Sequence, residues 1–182
     1  MNIFVLSFDV NEIARWQIDK HCVKMILESA QMLSSAHRYL DGEITPGLSK
    51  TGRSVKRYVL SDDRESILYG MTHANHPSTV WTRANRANYE WHYRLFLAML
   101  NEYEYRYGKK HACWKLEPHL RNVPINISNG DFTLPTPAMD EKYLVKNDVI
   151  ASYRNYYILG KSHLAAWTKR ERPDWYLLMD TK

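Results

Sequence analysis

Between residues 10 and 40 the chain contains neither glycine nor proline, and its apolar residues recur at intervals of three and four. A run of that length and period settles as helix, because only a 3.6-residue repeat gathers those side chains on one buried side. Asp9 and Asn11 supply cap-type residues at its start. The pattern predicts one long helix or two consecutive ones, ending before Asp41-Gly42.

The rest of the chain is read around that run. Residues 2–8 are β-rich and alternate weakly, which predicts a short strand or extended arm. Residues 41–61 carry Gly, Pro and Ser and predict a loop, followed by a short helix over 62–69. Asn75-His76-Pro77-Ser78 looks like a helix start, with proline where its missing N–H costs little. The helix runs to about Tyr107 and stops at Gly108-Lys109-Lys110. Residues 122–138, with Pro124, Pro135 and Pro137, are expected to be extended and irregular, and a last helix is placed over 140–159. The expected fold is mainly α: one helical domain over 1–182, with a short N-terminal extended arm and long irregular loops.

Composition narrows the class. A chain of 182 residues that is 45% apolar can bury a core without disulfides or metals. No apolar run reaches the roughly 18–20 residues of a spanning helix, so no membrane partner is expected. The first nine residues lack a signal peptide's basic start and cleavage site. Cys22 and Cys113 form no CxxC pair, which suits a reducing cytoplasm. A net charge of +5 permits a nucleic-acid partner without demanding one. Two basic stretches stand out as possible phosphate tracks: residues 50–57, with Lys50, Arg53, Lys56 and Arg57, and Lys161 to Arg172.

The chemistry concentrates on the first long helix. His21, Lys24, Glu28, Gln31 and Ser35 follow at intervals of 3, 4, 3 and 4, which places them on one face. Apolar residues flank this stripe on both sides, so it is expected to line a groove. An amine and a carboxylate within reach of one another can serve a nucleophile or a general base; equally, Lys24 and Glu28 can be an ordinary i,i+4 surface pair. The segment from Asn75 to Trp91 gathers His76, Arg83, Arg86, Asn88 and Tyr89 near a helix start, where anions and extruded bases find donors and stacking surfaces. No metal site is expected, since His111, Cys113, His119, His73 and His76 lack paired ligand spacing. There is no P-loop, GxGxxG or GxSxG motif, no cofactor is implied, and no obligate protein partner is evident.

Three segments, in order, resemble the phage pyrimidine-dimer DNA glycosylases of the endonuclease V type. They are Asp19-x-His21 with Glu28, the helix from Asn88 to Lys109, and Arg172-Pro173-Asp174-Trp175-Tyr176. The chain is also similar to a group of small phage proteins sharing the DKH…E and NHPS…W…R…NY segments. The resemblance implies a DNA N-glycosylase with AP-lyase activity on a damaged or modified base in duplex DNA, in the host cytoplasm if phage-encoded. It implies that Glu28 stabilises a cationic sugar, that His21 orients Glu28 or shuttles a proton, and that Trp175 lies near DNA. The nucleophile is the Met1 α-amine or Lys24. The sequence departs from that family at Asn2, where the family has threonine, and at Leu27 and Gln31, where arginines flank the glutamate. A base-modifying transferase and a non-catalytic DNA- or protein-binding factor are the alternatives.

Overall fold

The protein is described by a computed structural model covering residues 1–49 and 51–177. It is mainly helical, and among the described residues no helix is long and apolar enough to cross a membrane. The Gly/Pro-free run forms two helices, α1 (Val10–Trp16) and α2 (Asp19–Asp41). Gln17 and Ile18 take extended backbone angles and separate them. Asp9 caps α1 by accepting a bond from the Asn11 N–H.

The predicted helix from 75 to 107 is also two. α4 (Pro77–Thr82) ends at Arg83, and α5 (Arg86–Tyr107) restarts from the Asn85 cap. Asn85 Oδ1 accepts the Asn88 N–H, and its extended backbone is incompatible with continuing the helix. The predicted stop holds: Gly108 adopts φ +66°, the left-handed conformation that glycine reaches most cheaply.

Four further expectations are corrected. Of the strand or extended arm read for residues 2–8, the strand does not form, and Ile3 to Leu6 are buried in the core. The loop over 41–61 contains an antiparallel ribbon, β1 (Glu43–Leu48) with β2 (Ser54–Val59). Its Pro46 went against a strand reading, yet a two-stranded ribbon has free edges that tolerate proline. Within 62–69 only α3 (Arg64–Ile67) is helical. The expected helix over 140–159 is confined to α7 (Val149–Asn155) and a following π turn, after a short 3₁₀ turn at Glu141–Tyr143. A 3₁₀ turn at Ala112–Leu116, running into α6 (Glu117–Leu120), was not anticipated. Residues 122–138 are irregular, as expected.

The core joins Ile3 to Leu6 with α1, α2, α4 and α5. Two buried arginines tie it to irregular segments. Arg106 of α5 lies under the α1–α2 junction, donating to the carbonyls of Gln17 and Arg15, each at 2.8 Å. It also pairs with Glu102 at 2.7 Å and Asp19 at 3.0 Å. Arg38 likewise donates to the carbonyls of Tyr58, Glu65, Leu68 and Tyr69. A buried cation is stable only when its donors are matched, and here backbone carbonyls at the α1–α2 junction and from β2 to the residues after α3 supply much of the match.

Candidate functional site

Glu28 sits midway along α2 with its side chain 11% exposed. Its Oε2 accepts the Asn2 N–H at 2.9 Å and lies 3.8 Å from the Met1 nitrogen. Its Oε1 lies 3.2 Å from Lys24 Nζ, whose side chain is 68% exposed. One carboxylate therefore faces two amines, one on each oxygen: the Met1 nitrogen, on a partly buried residue, and the exposed Lys24 Nζ.

The N-terminal segment is fixed there by side chains the stripe did not reveal. Asn2 Nδ2 donates to the Ala138 carbonyl at 2.8 Å, and Asn2 Oδ1 accepts from the Tyr153 hydroxyl at 2.6 Å. The Met1 side chain is 3% exposed, with its sulfur 4.0 Å from Thr79 Oγ1. Asn2, read from sequence only as a departure from threonine, is the clamp that brings residue 1 to Glu28. Its contacts span up to 151 positions, beyond the reach of local pattern.

His76 borders the same cluster. Its ring caps α4, with Nδ1 accepting the Ser78 N–H at 3.2 Å, so the neutral ring carries its proton on Nε2. Burial lowers its pKa, the Met1 amine and His73 push the same way, and Glu28 opposes them. The expected helix-start anion site is absent, because α4 is short and the His76 ring already takes a first-turn N–H.

The other predicted residues divide. Gln31 is half-buried on the same face of α2, one turn beyond Glu28. Asn75, Arg86, Lys56 and Arg57 are exposed, with Arg86 paired to Glu90 at 2.7 Å. Arg83 donates to the Ala74 carbonyl at 2.6 Å and lies 3.9 Å over the Tyr39 ring. Lys50 lies outside the described residues.

Three roles are corrected. His21 is buried; its Nδ1 bonds the Tyr157 hydroxyl at 2.8 Å, and its ring packs on Phe4 at 4.3 Å. Seven residues separate it from Glu28, roughly 10 Å along the helix axis, so it cannot orient that carboxylate directly. Burial, with Lys161 and Lys24 nearby, pushes its pKa down to about 3. It stays neutral near pH 7, with its Nδ1 engaged by the Tyr157 hydroxyl. Asn88 is buried and spent on Trp81 and Thr133, accepting the Thr133 N–H at 2.9 Å. Tyr89 is fully buried, its hydroxyl donating to the Leu120 carbonyl at 2.9 Å and meeting His37 at 2.8 Å. Neither can touch a ligand. Trp175 is half-buried in an aromatic group with Trp16 and Tyr157, and the Arg154 guanidinium lies 5.2 Å from its ring.

Among the described residues no three His, Cys, Asp or Glu side chains converge as a metal site. His111, a metal candidate by composition, instead accepts the Cys113 N–H. Comparison with protein-family models, curated proteins and solved structures gives no match.

Proposed function

We propose that the protein is a DNA N-glycosylase with AP-lyase activity, acting on a damaged or modified base in duplex DNA. The observation that carries this reading is the amine–carboxylate pair of Met1 and Glu28, 3.8 Å apart. Where Met1 is the first residue its nitrogen is a primary α-amine, the kind of nucleophile that can form a Schiff base with a sugar.

The neutral amine attacks the sugar C1′, and the C1′–N bond breaks with its electron pair leaving on the base, which takes up a proton. Glu28 stabilises the positive charge that develops on the sugar. The nitrogen then loses its protons as the C1′–O4′ bond opens and O4′ is protonated, giving a Schiff base. Glu28 next withdraws a C2′ proton, and the 3′ phosphate departs by elimination. Lys24, on the other carboxylate oxygen, is the outward cation and a phosphate contact. His76 presents its Nε2–H beside the pair, suited to donating a hydrogen bond to the departing base. Gln31, Arg83, Lys56 and Arg57 extend the contact along the duplex. Cys22 and Cys113, both free and buried, agree with a reducing cytoplasm as the place of action.

Borohydride trapping on duplexes carrying abasic sites or modified bases tests the mechanism. A covalent adduct is expected, mapping to the N-terminal peptide. Glu28→Gln is expected to slow its formation by about 10²- to 10⁴-fold. No adduct with any substrate, or full activity in Glu28→Gln, overturns the mechanism. Base modification without an adduct would favour a transferase, and DNA binding alone a non-catalytic factor.

A further inference from the structure

Neither the core nor the Glu28 cluster uses the β1–β2 ribbon. Both its faces are open to solvent, with Ile44 59%, Leu48 62% and Val55 37% exposed. It meets the body at one end, where Arg38 donates to the Tyr58 carbonyl and Tyr58 stacks on Tyr39 at 5.7 Å. Arg83 lies over Tyr39 in turn.

The register fixes what each face offers. Ile44 pairs with Tyr58 and Pro46 with Lys56, while Thr45 pairs with Arg57 and Gly47 with Val55. Successive residues of a strand point to opposite faces, so Lys56 and Arg57 lie on opposite sides, and Arg57 Nη2 donates to the Leu48 carbonyl at 2.9 Å. Arg53 stands beside the turn, where its N–H bonds Ser49 Oγ. Against these cations residues 43–59 carry one acid, Glu43, at the end nearest α2.

A two-stranded ribbon without a core is marginal in water, so its exposed faces are best explained by a partner that covers them. The charge selects a polyanion. Strands about 4.8 Å apart form a ribbon that enters a duplex major groove roughly 12 Å wide. Cations on both faces then reach the phosphates of both groove walls, and exposed apolar side chains meet thymine methyl groups. We infer that the ribbon is a groove-entering arm for duplex DNA, with Lys56 and Arg57 on opposite walls and Arg53 near its tip. The inference rests on duplex DNA being the substrate of the Glu28 site.

The test uses the full chain carrying Arg53→Ser, Lys56→Ser and Arg57→Ser, with Lys56→Ser alone as a milder variant that keeps the Arg57–Leu48 bond. Fluorescence anisotropy on an undamaged duplex is followed across salt concentrations, and adduct trapping is run at saturating abasic DNA. The slope of log K against log salt is expected to become shallower by about 2.7 in the triple variant and about 0.9 in the single one. Circular dichroism reports whether the fold is intact, and trapping reports whether the Glu28 site is active. An unchanged slope in both variants overturns the arm, even where trapping succeeds, and leaves Ile44 and Leu48 to a protein partner. A lost slope in a protein that traps no adduct supports the arm and overturns the glycosylase reading alone.

Discussion

Glu28 and Glu102 are both nearly buried glutamates on long helices, each facing two cations, yet their surroundings differ in kind. Glu102 is held by Arg106 at 2.7 Å and by Arg170 at 3.0 and 2.8 Å. All three bonds come from guanidinium groups, which do not deprotonate in proteins. Glu28 faces two amines, one at 3.2 Å and one at 3.8 Å, each with a neutral form. The first arrangement is saturated and permanent. The second leaves an amine lone pair attainable beside a carboxylate, which covalent chemistry at C1′ requires. Burial of a carboxylate therefore separates nothing here; the identity of its cations does.

The largest expected effect comes from acid, acting on the saturated interior. Burial pushes His92 and His21 down to about 3 and, with Arg64 nearby, His37 to about 4. In the unfolded chain each titrates near 6.5. Between those values and 6.5 the unfolded state binds the extra protons, so stability is full above pH 6.5 and falls as pH drops toward 4. Each histidine removes about 1.4 kcal/mol per pH unit, about 4 kcal/mol per unit for the three together. Asp19 and Asp41, held low by their hydrogen bonds to Thr168, Asn126 and the arginines against the opposing effect of burial, add loss at still lower pH. Urea unfolding at pH 7, 6 and 5 checks this. A midpoint that does not move would mean the three rings are hydrated.

Removing Arg106 attacks the same region at one point. Arg106→Met is expected to lower stability by about 3–5 kcal/mol, since it takes from the interior one of the two guanidinium partners of Glu102, a partner of Asp19 and the donors to the Arg15 and Gln17 carbonyls. Arg106→Met with Glu102→Met is expected to recover part of that loss, because the buried carboxylate is gone and the charges left behind, Arg170 and Asp19, are partly exposed to water. Glu28→Gln is expected to leave the urea midpoint within about 1 kcal/mol while slowing trapping by about 10²- to 10⁴-fold. Equal destabilisation by Glu28→Gln and Arg106→Met would dissolve the distinction between the two glutamates.

What the sequence made legible follows the range of the forces involved. Helix α2 and the Gly108 stop are written in neighbouring residues, and so is the facing of Lys24 and Glu28. The breaks at Ile18 and Arg83–Asn85 are not, because each is set by partners far along the chain: Arg106 pulls on the carbonyls of residues 15 and 17, and the Asn85–Asn88 cap is braced by Thr133. The polar residues of 75–91 suggested a ligand site because polar side chains gathered at a helix start have two uses. In Asn88 the backbone of the irregular 122–138 segment took the bonds a ligand would have taken. The Met1–Glu28 pair was legible only as an option, since nothing local announces that Asn2 is clamped by Tyr153.

The smallest expected effect separates the two amines. Lys24 is mostly exposed, and its pairing with Glu28 is an i,i+4 contact on a helix surface, worth about 0.3–0.5 kcal/mol. Lys24→Met is expected to shift the urea midpoint by no more than that, and to leave the trapped adduct on the N-terminal peptide with its rate lowered only a few-fold. Placing two residues ahead of Met1 converts its amine into an amide and is expected to abolish the adduct while Lys24 remains in place. The opposite pattern, with trapping lost in Lys24→Met and kept in the extended chain, would move the nucleophile to Lys24. The Met1 amine would then be what the Glu102 arginines already are, a counter-ion that fixes a carboxylate.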